Sequence, residues 1–189
     1  MRKNIQSGFY LLETLVSVFV VSIGVLCAAG MQLTAMQTAQ QSGLQTLAMQ
    51  LAVDMADQIR ANNSVTKLND EQNPYLSIDY GAAKKIAAPS AQCFSAKNIC
   101  STIEMENFSI YGWEKKIKEN LPQGRMLVCR DAEPWDSNAS RYRWECNSTP
   151  NGNSSLVIKI GWYEKKSQQS ISNDRDKNYP PLIALVVGI

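Results

Sequence analysis

The sequence predicts an α+β chain in which a long N-terminal helix packs on a small antiparallel sheet braced by two disulfides. Three observations carry this. An apolar run extends without proline from Phe9 to Met31, and an amphipathic stretch continues it to about residue 60. The downstream half then mixes one helix-like period with alternating apolar runs, punctuated by four cysteines.

The run from Phe9 to Met31 carries a single charge, Glu13. Twenty-three helical residues rise roughly 34 Å, enough for a bilayer core of about 30 Å. The run is long for a secretory signal, and no small-residue cleavage site follows it. Arg2 and Lys3 precede it, so the positive-inside rule leaves Met1 in the cytoplasm and the bulk of the chain outside. Glu13 is costly at membrane depth unless it stays wet near the headgroups or is paired.

From Gln32 to about Arg60 the pattern becomes amphipathic. Leu33, Met36, Leu44, Leu47, Leu51, Met55 and Ile59 recur mostly every three or four residues, with glutamines over much of the remaining surface. One continuous helix of about 50 residues is expected, with Asn62-Asn63-Ser64 as its stop. The expected organisation is a leader over residues 1–8, a membrane helix over 9–31, its amphipathic continuation over 32–61 and a globular domain over 62–189.

Residues 62–92 are rich in Asn, Asp, Ser and Pro, and read as a long loop. Ile103 to Leu121 reads as a helix, with Ile110, Trp113, Ile117 and Leu121 on one face; Leu121-Pro122-Gln123-Gly124 ends it, the glycine supplying positive φ. Four strands follow: Arg125–Arg130, Arg141–Cys146, Ser155–Lys165 and Leu182–Val187. Leu156, Ile158, Ile160 and Trp162 should share one face of the third, with Lys159 and Tyr163 on the other. Asn147–Asn153 is a turn signal, and Pro180-Pro181 precedes the closing strand.

Of the five cysteines, Cys27 lies in the apolar run and should behave as a small hydrophobe. The other four, Cys93, Cys100, Cys129 and Cys146, allow three connectivities. Cys93–Cys100 and Cys129–Cys146 are preferred, because each pair is close in sequence and flanks a turn-rich stretch. A four-cysteine zinc site is the competing reading, but the spacings lack the short C-x2-4-C knuckles such sites favour. Two disulfides would place the domain in an oxidising compartment.

Composition narrows the function. The chain has no histidine, which removes the usual general base and the commonest metal ligand. Its formal charge is +2, and without Arg2 and Lys3 the 19 basic residues fall to 17 against 17 acidic, with no basic stripe for nucleic acid. No serine has a convincing base beside it, and no Gly-rich phosphate loop is present. The expectation is a non-enzymatic protein without cofactor or metal.

Gly8-Phe9-Tyr10-Leu11-Leu12-Glu13, after a short basic leader and before an apolar helix, resembles the class III signal of type IV prepilins. The resemblance implies a pilin-like fold, cleavage by a prepilin peptidase after Gly8, N-methylation of Phe9 and a role for Glu13 in assembly. Tyr10 and Leu12 depart from the commonest residues of that signal. Cys93-x6-Cys100, Trp113, Leu121-Pro122-Gln123-Gly124 and Val157-Ile158-Lys159-Ile160-Gly161-Trp162 resemble minor pilins of the PilV kind, although Tyr111-Gly112 stand where an acidic residue usually precedes the tryptophan. This implies an inner-membrane protein with a periplasmic domain that later enters an extracellular pilus. Its partners would be major and minor pilins, the peptidase and the inner-membrane assembly platform. A type II secretion pseudopilin shares the same signal, and an unprocessed single-pass protein with a periplasmic binding domain is the third reading.

Overall fold

The computed structural model describes residues 7–90, 93, 99–148, 154–164 and 179–188, with side chains from Tyr10 onward. The basic leader residues Arg2 and Lys3, most of the Asn147–Asn153 turn and the segment 165–178 lie outside the described residues. Two compact units divide between Gly43 and Leu44.

Helix α1 runs over Ser7–Ala61, 55 residues. In the first unit every described side chain from Tyr10 to Gln40 is exposed. That includes Leu33 and Met36, so the expected core stripe begins only at Leu44. In the second unit Ala48, Leu51, Ala52, Met55, Ala56 and Ile59 are buried, a helical face in which alanines alternate with larger side chains. The alanines bring the helix backbone close to the rest of the core, and their small size hides them from the apolar pattern.

Residues 62–92, expected as a loop, carry three short elements: α2 (Asn63–Thr66), a 3-10 turn (Pro74–Ser77) and strand β1 (Asp79–Gly81). Asn73 caps the 3-10 turn by accepting from the Tyr75 N–H, with Pro74 at the first helical position. Val65, Tyr75, Ile78 and Tyr80 from this stretch are core residues. A three-residue strand is too short to show a period, which is why it reads as irregular.

Helix α3 spans Thr102–Asn120 and opens with a capping box: Ser101 Oγ accepts from the Glu104 N–H, and the Glu104 carboxylate accepts from the Ser101 N–H. The helix ends as expected, but by a different device. Gln123 takes the positive φ, at 52°. Gly124 is needed for space instead, since a Cβ there would lie 2.7 Å from Ile117 Cγ2 and 3.0 Å from the Ile117 carbonyl oxygen.

Strands β2 (Arg125–Arg130), β5 (Leu156–Gly161) and β6 (Ile183–Val187) join β1 in one antiparallel sheet of order β1-β2-β5-β6. Met126 pairs with Tyr80 and Ile160, and Ile158 with Val128 and Leu185. The expected strand Arg141–Cys146 is not in this sheet. Only Arg141–Tyr142 (β4) is extended, paired with Trp135–Asp136 (β3) in a separate hairpin. Residues 143–147 are irregular and lie against the sheet's second face. Both faces of β5 are therefore covered, and all six of its residues are buried, Lys159 included.

Candidate assembly helix and the clamped loop

The predicted functional residues fall on the first unit. Gly8 and Phe9 lie in the first turn of α1. Glu13 lies one turn beyond Phe9 and is exposed. Around it, Leu11, Leu15 and Leu26 are each at least 70% exposed. This is one helix long and apolar enough to cross a membrane, with a mean hydropathy of 2.3 and none of that window buried. Four of its serine and threonine hydroxyls bond back to the helix. Thr14 donates to the Leu11 carbonyl, Ser17 to Glu13, Ser22 to Val18 and Thr34 to Met31, at 2.7–3.0 Å. Such back-bonding leaves these serine and threonine hydroxyls without a bare donor on the apolar surface. Cys27 is a free, exposed thiol on the same helix.

A continuous apolar face of this size is unstable in water and must be covered by lipid or by other helices. By length and composition, the 23-residue run with its one carboxylate suits a membrane span or packing against other helices.

The second unit holds polar groups that the sequence pattern does not single out. Glu106 is buried on α3 and accepts a hydrogen bond from the Tyr75 hydroxyl. Asn62, just after α1, donates to the same hydroxyl at 3.3 Å. Burial pushes the Glu106 carboxyl above its usual range, and the bonds from Tyr75 and Asn62 only partly oppose this. Burial, with the neighbouring Glu106, likewise raises Tyr75. A signal does exist: Glu106, Ile110, Trp113 and Ile117 follow one helical face at intervals of four, three and four.

The other group is Lys159 with Asp131. The ammonium stands 2.6 Å from Asp131 Oδ2, with both side chains fully buried, and donates to the Glu145 carbonyl at 2.7 Å. Asp131 Oδ1 accepts the backbone N–H groups of Glu133 and Asn147 at 2.9 and 3.2 Å. Burial alone would raise this carboxyl, but the Lys159 and backbone hydrogen bonds outweigh it, and the group is lowered.

The four downstream cysteines form two bridges, Cys93–Cys100 and Cys129–Cys146, with Cα separations of 5.6 and 6.3 Å. Cys129, Cys146 and Asp131 also lie within metal-ligand distance of one another. Their donors are spent, since the sulfurs are bonded to each other and the carboxylate faces Lys159. The second bridge, the ion pair and the Ala132 N–H donated to the Asn147 carbonyl at 2.9 Å together clamp residues 145–147 to the sheet.

The long N-terminal helix, the small antiparallel sheet and the two disulfides make up a type IV pilin-like fold. A family model described as Tt1218-like, type IV pilin Tt1218, matches residues 30–111. The match runs from the middle of α1 through the first disulfide and into α3, under half of the chain, and it supports a type IV pilin family. Neither the curated proteins nor the solved structures compared with the chain gave a match.

Proposed function

We propose that the chain is a minor prepilin, cleaved after Gly8, N-methylated at Phe9 and assembled into a type IV pilus. The observation that carries this is the fully exposed apolar surface of α1 from Tyr10 to Met31, interrupted by the single carboxylate Glu13. The pilin family match on the adjoining residues 30–111 points the same way.

In this reading the helix serves first as an inner-membrane anchor and then as part of a filament core built from like helices. Cleavage creates an α-amine at Phe9. Glu13 of one subunit neutralises the amine of a neighbour, because two buried charges are tolerable paired and costly alone. A subunit in the wrong axial register leaves Glu13 unpaired, so the pair selects register as well as supplying attraction. The disulfide-braced domain is periplasmic before assembly and extracellular afterwards. The role is structural. Its partners are other major and minor pilins, the prepilin peptidase and the inner-membrane assembly platform, and its place is at the filament tip or in the initiating complex.

The test is the intact mass and N-terminal peptide of the native protein in cells with and without prepilin peptidase. A methylated Phe9 terminus that depends on the peptidase is expected. Retention of residues 1–8 in both strains overturns the reading and leaves an ordinary anchored domain.

A further inference from the structure

We infer that the cavity walled by the clamped segment 143–147 binds a neutral saccharide. The cavity has a volume of about 490 Å³, within the range of small-molecule sites.

Its walls are fixed to an unusual degree for a stretch without regular structure. Trp144 is held from three directions. Its indole N–H donates to the Tyr179 carbonyl at 2.7 Å, and the Arg125 guanidinium sits 4.2 Å from its ring centroid. Its edge rests on Gly161, where a Cβ would lie 2.9 Å from the ring and 3.0 Å from the Pro180 carbonyl oxygen. Arg143 donates to the Glu133 carbonyl at 2.6 and 3.0 Å. Behind the segment stand the Cys129–Cys146 bridge and the buried Lys159–Asp131 pair. A buried ion pair is a poor source of stability, because desolvation consumes most of its attraction. Its evident effect here is to hold residues 145–147 in one conformation. Such preorganisation is what a binding site requires of its supporting groups.

Against these committed groups stand uncommitted ones. Among the described residues, the side chains of Arg141, Glu145 and Asn147 and the Tyr142 hydroxyl make no hydrogen bond, Arg141 acting on its cross-strand neighbour Asp136 only through its charge, and all four residues line the cavity. They supply donors (Arg141), acceptors (Glu145) and groups that do both (Asn147, Tyr142). The charges of the lining balance, with Arg141 and Arg143 against Asp136 and Glu145. A strongly charged ligand would gain from one pair and be repelled by the other. A sugar fits both requirements. Each hydroxyl donates and accepts, so a sugar can match the donors of Arg141 and the acceptors of Glu145, while its apolar ring face suits the aromatic walls of Tyr179 and of Tyr142, which is itself propped by Trp135. The inference does not depend on filament assembly.

The test is saturation-transfer NMR on the full chain in micelles of a detergent without a sugar headgroup. The probes are the methyl glycosides of glucose, galactose and N-acetylglucosamine, with a methyl sialoside as the acidic comparator. At least one neutral glycoside should bind at millimolar concentration, weakened about ten-fold or more in Arg141→Ala and in Glu145→Gln, with thermal midpoints unchanged. Two exposed variants are used so that a folding defect in one leaves the other decisive. No transfer to any neutral glycoside, transfer unaffected by both substitutions, or binding confined to the sialoside each overturns the inference.

Discussion

The ammonium of Lys159 lies 2.6 Å from Oδ2 of Asp131, and neither side chain reaches solvent. Breaking such a pair by removing one partner leaves the other charge buried and alone. Lys159→Met should cost about 3–5 kcal/mol in urea unfolding. The pair also sets an acid limit. The Asp131 carboxyl is lowered in the folded state, so its contribution is present above the unfolded value of about 3.9 and is lost as pH falls through the folded value. Stability measured from pH 5 down to pH 2 should therefore fall in wild type, and fall less steeply in Asp131→Asn.

Glu106 has the opposite sign. Its carboxyl is raised by burial, so the folded state holds a proton that the unfolded state has released. Its contribution is complete below the unfolded value of about 4.3 and is lost as pH rises through the folded value. Glu114 is raised in the same direction by burial, against Lys84. Glu106→Gln should thus flatten, without abolishing, the decline in stability above about pH 4.3. An unchanged slope would show that Glu106 is not the group titrating.

The two disulfides should differ in worth. Cys129–Cys146 closes 17 residues and Cys93–Cys100 closes seven. On chain-entropy grounds, replacing the first pair by alanine should cost about 3 kcal/mol, and about 0.8 kcal/mol more than replacing the second. The excess should be larger if Lys159 loses its contact with the Glu145 carbonyl as well. Urea unfolding of the two double variants measures the difference.

Two glycines of one region should respond in opposite directions. Gly124→Ala drives a methyl to within 2.7 Å of Ile117 Cγ2 and against backbone, and should cost about 1–3 kcal/mol. At Gly112, inside α3, an added methyl would meet nothing within 4 Å, and Gly112→Ala should stabilise by up to about 1 kcal/mol. Thermal midpoints of the pair discriminate the packing argument from a general intolerance of change.

On the proposed pairing of Glu13 with the Phe9 amine of a neighbouring subunit, Glu13→Ala should leave membrane insertion intact and reduce recovery of the subunit in sheared filaments roughly a hundred-fold. Immunoblots of membrane and filament fractions give both readings. Normal incorporation would remove Glu13 from the assembly mechanism.

Much of this architecture is written in strong local signals. The apolar run fixes α1, and Leu121-Pro122 marks the end of α3. The alternation of Met126 with Val128, and of Leu156 with Ile158 and Ile160, identifies two central strands. The losses have physical causes. Arg141–Cys146 alternates like a strand, but Cys146 is tied to Cys129, and Lys159 holds the Glu145 carbonyl, so the chain crosses the sheet instead of joining it. Lys159 therefore reads as a solvent-facing residue, because nothing periodic announces that an irregular segment will cover the second face of β5. Asp131, just beyond β2, gives no signal at all. The residues proposed for processing and assembly, Gly8, Phe9 and Glu13, are legible only as a motif.

Strand β5 has its partners on either side from opposite directions of the chain: β2 precedes it, and β6 follows it by about twenty residues. A chain interrupted before Ile183 would display the row Leu156 to Gly161 with one bare backbone edge and the apolar side chains of Leu156, Ile158 and Ile160 on one face. Such an edge is a template for pairing with another chain. A chain shortened before Ile183 should accordingly self-associate through this edge, so that the closing strand protects the sheet as well as completing it.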